Sequence, residues 1–154
     1  MKVRAALAVA LLIGATATGV AQSPAVEISG RVETAASYTE EALASAPVVE
    51  VDGAREGGAR SHYTGALLWP LIVAAKPVDA AGKGGKLQHV LLARGADGYA
   101  VVLAIGELDP NLEGKQVIIA TTQDGAKLAA PRLVVPGDKH AARNVRDLVA
   151  IEVR

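Results

Sequence analysis

Three observations predict an α+β fold. Short stretches alternate apolar and polar residues with a period of two, which is the mark of half-buried strands. Two Asp-Gly pairs, Asp97-Gly98 and Asp124-Gly125, interrupt that alternation, and Asp-Gly between apolar runs is a hairpin signal. Hydrophobic residues make up 51% of the 154, yet aromatics are only 3% and Phe is absent. The core is therefore aliphatic, and its β-branched members favour strands. Six or more strands and two short helices are predicted, with no internal repeat and no dividing linker. The arrangement expected is one domain of mixed and antiparallel β-sheets with short helices.

Ala25 to Glu33 largely alternates and reads as the first strand. Ser37-Tyr38-Thr39-Glu40 has capping-box spacing, with Ser37 or Thr39 as N-cap of a short helix running to Ala44 and stopped by Pro47. Val48 to Val51 is a second strand, and Gly53 to Ser61, with three glycines and several charges, reads as a loop. Ala66 to Ala75 places Leu67, Leu68, Leu71, Ile72 and Ala75 on one helical face. Pro70 falls near its first turn, where proline is tolerated. Lys76-Pro77 ends it, and Ala80 to Lys86 is a flexible connector. Strands follow at Leu87–Arg94 and Tyr99–Ile105 around the first Asp-Gly. Gly106 to Pro110 is a short turn or a single helical turn, Val117–Thr121 and Leu133–Val135 are strands, Pro136 to Ala142 is a loop, and Leu148–Val153 is the last strand.

The N-terminus carries Lys2 and Arg4, then an apolar or small run from Ala5 to Ala17, then Gly19-Val20-Ala21. This reads as a signal peptide over residues 1–21, cleaved after Ala21, too short and Ala-rich for a good membrane span. The expectation is a periplasmic or secreted domain over residues 22–154 with no membrane span. Removing residues 1–21 takes away two basic residues and no acid, leaving 14 Lys and Arg against 16 Asp and Glu. No nucleic-acid partner is expected from that balance. From Lys127 to Arg154, however, six basic residues stand against three acids, enough to hold an anion locally. The chain has no cysteine, so disulfides, thiolate nucleophiles and Cys-ligated metals are excluded for its own residues.

Five segments in order resemble the molybdopterin-binding domain of sulfite-oxidase-type oxidoreductases. Tyr63-Thr64-Gly65-Ala66-Leu67-Leu68-Trp69-Pro70-Leu71-Ile72 looks like that family's "W/Y-x-G-x-x-L-x-x-L-L" segment. Ala96-Asp97-Gly98-Tyr99 resembles its "DGY" hairpin, and Asp124-Gly125-x-x-Leu128 its "N/D-G-x-x-L" turn. Pro131-Arg132-Leu133-Val134-Val135-Pro136-Gly137 resembles its "P-L-R-L-V-V-P" strand, and Arg143-Asn144-Val145-Arg146 its "K-x-V-K" run. The resemblance spans Ile28 to Val153. It implies a sulfite-oxidase-like fold, molybdopterin as the cofactor of the intact family members, and a loop that holds the pterin phosphate. It also implies a molybdenum-ligating Cys between the early strand and the "x-G-x-x-L" segment. Here that interval, Val51 to Ser61, has no Cys, and its nearest positional equivalents are Asp52 and Gly53. A carboxylate or a glycine is a poor substitute for the thiolate.

The candidate cofactor-binding residues are Arg132, Gly137, Lys139, His140, Arg143, Asn144, Arg146 and His62. Gly137 would allow close backbone approach, and Lys139 and Arg143 would supply charge, with Arg suited to bidentate phosphate contacts. His62 lies close to the missing thiolate. His62, His89 and His140 have no metal-ligand spacing, and His89 reads as a strand-face residue. Trp69 reads as core or as a lid over the cleft, and Glu40-Glu41 as an acidic pair at a helix start. No catalytic set is assigned and no metal site. The expected function is a degenerate domain binding an anionic small molecule, a pterin, or a redox or periplasmic protein partner. The alternative is a molybdopterin-dependent oxidoreductase or accessory subunit that holds the cofactor through pterin phosphate contacts alone.

Overall fold

The computed structural model describes residues 25–154; the signal-peptide expectation falls on residues outside them. Two sheets organise the chain. The first has five strands in the order β2 (Ala36–Thr39), β1 (Ala25–Gly30), β9 (Leu148–Val153), β5 (Val90–Gly95) and β6 (Ala100–Ala104). Only the β1–β9 pairing is parallel; the others are antiparallel. The second is an antiparallel sheet of β3 (Val48–Ala54), β4 (Arg60–Leu67), β7 (Ile118–Gln123) and β8 (Ala126–Val134). Three short helices, α1 (Glu40–Ala44), α2 (Leu68–Ala75) and α3 (Ile105–Leu108), fill the ends. The α+β class is as the sequence predicts.

The main core draws on both sheets. Val26 and Ile28 of β1, Leu91 and Ala93 of β5, and Ile151 and Val153 of β9 meet Ala66, Ile119 and Leu133 of the second sheet, with Leu68, Leu71 and Ile72 of α2. Each fully buried Leu or Ile contributes about 1.5–3 kcal/mol relative to exposure, so a core without Phe is built from many such increments. The far face of the second sheet carries a smaller cluster: Val51, Tyr63, Ile118, Ala120 and Val134. That second face carries the site.

Several boundaries differ from the sequence reading, and pairing explains each. The Gly53–Ser61 segment is a loop only at its centre, Arg55 to Ala59, and strand at both ends. β3 runs to Ala54 and β4 starts at Arg60 because Val48 to Ala54 pairs in unbroken register with Ala66 to Arg60. Ala66 and Leu67 belong to β4, where they pair with Ile119 and Ile118, so α2 begins only at Leu68. Ser37 lies in β2, and Thr39 is the N-cap of α1, its hydroxyl accepting the Ala42 N–H at 3.3 Å. β8 begins at Ala126, seven residues earlier than read. Pro131 is tolerated in it because the β7–β8 register shifts between Ala120 and Thr122, leaving a stretch that needs no N–H. Leu87 sits in a single 3₁₀ turn, Gly85–Gln88, and β5 starts after it.

Candidate functional site

A cleft of about 570 Å³ opens on the outer face of the β3–β4–β7–β8 sheet. Its floor is the sheet: Tyr63 on β4, Gln123 opposite it on β7 and Arg132 on β8. One wall is the β3–β4 turn, Arg55 to Gly58. The other is formed by the segment His140–Arg146 and by Asp97 and Tyr99 of the β5–β6 hairpin. These pieces are far apart in the chain, and side chains join them. Asn144 donates from Nδ2 to the Ala54 carbonyl at 2.8 Å and accepts the Val135 N–H on Oδ1 at 2.9 Å, tying the end of β3 to the end of β8. The Tyr99 hydroxyl donates to the Ala142 carbonyl at 2.5 Å, tying hairpin to loop.

The electrostatics favour an anion. Arg55, Arg132 and Arg146 line the cleft with His140, against the acids Glu56 and Asp97. Both acids are engaged. Glu56 meets Arg146 across the mouth at 3.3 Å, and Asp97 accepts the Tyr99 N–H at 2.9 Å. Arg132 donates to Gln123 Oε1 at 2.9 Å, and Gln123 in turn donates to the Ser61 hydroxyl at 3.1 Å. That chain holds the Arg132 guanidinium on the sheet without neutralising it. Neither Arg55 nor Arg132 has a carboxylate partner among the described residues. Guanidinium groups suit planar, bidentate recognition of oxyanions.

The sequence-derived candidates divide. Arg132, His140, Asn144 and Arg146 converge on the cleft. Gly137 lies in an exposed turn after β8 with φ +87°, a conformation glycine adopts readily, and it does not line the cleft. Lys139 is exposed outside it. Arg143 turns the other way: it donates to both Asp138 oxygens, at 2.8 and 2.7 Å, and to Glu107 at 2.9 Å. Its pKa is raised by hydrogen bonding to Asp138 and then Glu107. It is the hub of a structural ion network. His62 does not line the cleft; it is on β4, with Nδ1 3.2 Å from Asp52 and Nε2 3.2 Å from Glu50. These two hydrogen bonds, Asp52 first, raise its pKa above 6.5. His89 is buried just before β5 and meets Asp79 at 3.0 Å. Trp69 borders a separate, smaller hollow beside α2, with the Lys86 ammonium 5.4 Å from its ring centre.

Sequence reasoning missed Arg55, Tyr63, Gln123 and Tyr99. Arg55 stood inside a segment read as loop. Tyr63 and Tyr99 stood inside the family-like motifs, where each was treated as scaffold.

The donor set of the cleft does not fit a molybdenum centre. Asp52 faces His62, away from the cleft. At Gly53 a side chain would meet Val134 Cγ1 at 2.7 Å and the Tyr63 ring at 3.0 Å. The β3 residue that borders the cleft is Ala54. Among the described residues no group of three or more His, Cys, Asp or Glu could hold a metal ion. The arginines suit a phosphate; the cleft offers no soft ligand for molybdenum.

No protein-family model and no curated protein matches the chain. Among solved structures it is similar to the crystal structure of the sulfane dehydrogenase SoxCD from Paracoccus pantotrophus, with a TM-score of 0.66 at 20% identity, over 84% of this chain and 37% of that one. The chain thus spans little more than a third of the length of that neighbour. The two sheets, their short helices and this likeness together give the chain a sulfite-oxidase-like fold.

Proposed function

We propose that this chain is an exported, degenerate sulfite-oxidase-fold domain that binds an anionic ligand in the cleft without molybdenum–thiolate chemistry. One observation carries the reading: three arginines line a cleft whose carboxylates are already engaged, in a chain with no cysteine. Arg132, held by Gln123, and Arg146, at the mouth, are the residues that would grip an oxyanion. Export is supported by the n-region, apolar run and small residues of positions 1–21.

A second reading has one observation in its favour, since arginines that grip an oxyanion also grip a pterin phosphate. In it the chain is an oxidoreductase or accessory subunit in which Arg132 and Arg146 hold a cofactor by its phosphate, and the metal's remaining ligands come from elsewhere. Elemental analysis of protein purified from its native compartment separates the two. The proposal predicts less than stoichiometric molybdenum after dialysis; one molybdenum per chain surviving dialysis sinks it.

A further inference from the structure

Tyr63 is fully buried, and it borders the floor of the cleft. Its hydroxyl is the one buried side-chain polar atom among the described residues that has no hydrogen-bond partner. An unsatisfied buried hydroxyl is costly, and such groups are rare enough to call for an explanation. The surroundings show that the ring is held in place. Gly53 leaves the space it occupies, since any side chain there would collide with the ring and with Val134. The cross-strand neighbour Gln123 turns its amide to Arg132 and Ser61, and among the described residues no group bonds the phenol. Tyr63, Gln123 and Arg132 share one face of the sheet, which sets an orphan neutral donor beside an unneutralised guanidinium.

We infer that the Tyr63 hydroxyl is a ligand-recognition group. It donates to an oxygen of an organic oxyanion whose charged head lies on the sheet with Arg132. The ligand's body extends past the half-exposed Tyr99 ring toward Arg146. The volume supports an organic ligand over a bare ion, because pockets of about 300–1,000 Å³ enclose small organic molecules. The inference rests on the anion-binding reading above and names its ligand class: a phosphonate, phosphate ester or sulfonate carrying an organic group.

The test uses the full mature chain, phenylphosphonate and inorganic phosphate as probes, and chloride at matched ionic strength as control. Thermal shift and calorimetry are read for wild type, Tyr63→Phe and Arg132→Gln. Phenylphosphonate is expected to bind wild type more tightly than phosphate does. Tyr63→Phe should weaken phenylphosphonate about tenfold, the effect of one hydrogen bond to a charged group, while its ligand-free melting temperature is no lower than wild type's. That pairing is the signature: a hydroxyl with a structural role would lower the ligand-free melting temperature. Unchanged affinity in Tyr63→Phe, or a lowered ligand-free melting temperature, overturns the inference. If phosphate binding is lost in Arg132→Gln but untouched in Tyr63→Phe, the inference alone fails. If wild type binds neither probe, the anion-binding reading fails with it.

Discussion

Glu56 spans the mouth of the cleft to Arg146 from a turn in which Gly57 and Gly58 both have φ +81° and nothing packs over them. An exposed pair of this kind contributes about 0–1 kcal/mol, so an incoming anion can displace the carboxylate. Glu56→Gln removes the competitor and one negative charge, and it should tighten phosphate binding about threefold; calorimetric titration of the variant against wild type checks this, and weaker binding would contradict it. Residue identities were partly legible in sequence. Arg132, Asn144 and Arg146 stand in family-like segments and His140 in the loop between two of them, and all four meet in the cleft. The placement of the missing thiolate near Asp52 and Gly53 was less informative: Asp52 pairs with His62, Gly53 makes room for Tyr63, and Ala54, the last residue of β3 before the turn, borders the cavity. The sequence reading ended that strand at Val51, so it held no basis for placing these three residues.

At the scale of elements, Arg143 anchors the segment 138–146 to α3. Asp138 and Glu107 are both ionised more readily than usual. Hydrogen bonding to Arg143 is the main cause for Asp138. For Glu107, burial opposes ionisation, and Arg143, the Ala104 N–H and Lys115 outweigh it. Because their folded pKa values are lowered, their stabilisation is full above the ordinary values, 3.8 for Asp and 4.5 for Glu, and is lost as pH falls through the lowered ones. Arg143→Met should therefore destabilise by about 1–2 kcal/mol at neutral pH, between the exposed and buried limits for ion pairs. The difference from wild type should shrink in acid below about pH 4. Denaturant midpoints across pH measure it, and a difference that grows in acid would contradict it. The sequence marked Arg143 as a phosphate ligand because its neighbours resemble such a loop; its partner Glu107 is 36 residues away, a distance that no local pattern encodes. Gly65 is the converse case. It sits where β4 shifts register against β7, and a Cβ there would collide with the Ile119 carbonyl and Ala120 Cα. The glycine of the "x-G-x-x-L" motif thus serves the close approach of two strands.

Across the whole molecule, the fold class followed from local signals: period-two alternation, Asp-Gly turns and an aliphatic composition. Strand order did not, because the parallel β1–β9 pairing and the assembly of the second sheet join distant segments. The cleft is a product of that assembly. Its two walls are held by Asn144 reaching across 90 residues of sequence to Ala54, so its composition becomes visible only once both sheets are in place. The likeness to SoxCD extends to the fold, and anion binding is proposed for the cleft's own arginines. Isothermal titration of the protein with inorganic phosphate measures that binding, run beside the double variant Arg132→Gln, Arg146→Gln. Saturable, stoichiometric binding to wild type is expected, weakened about a hundredfold in the double variant, since each charge-assisted hydrogen bond contributes about 1.5–3 kcal/mol. Absence of binding to wild type, or equal affinity in the double variant, would contradict it.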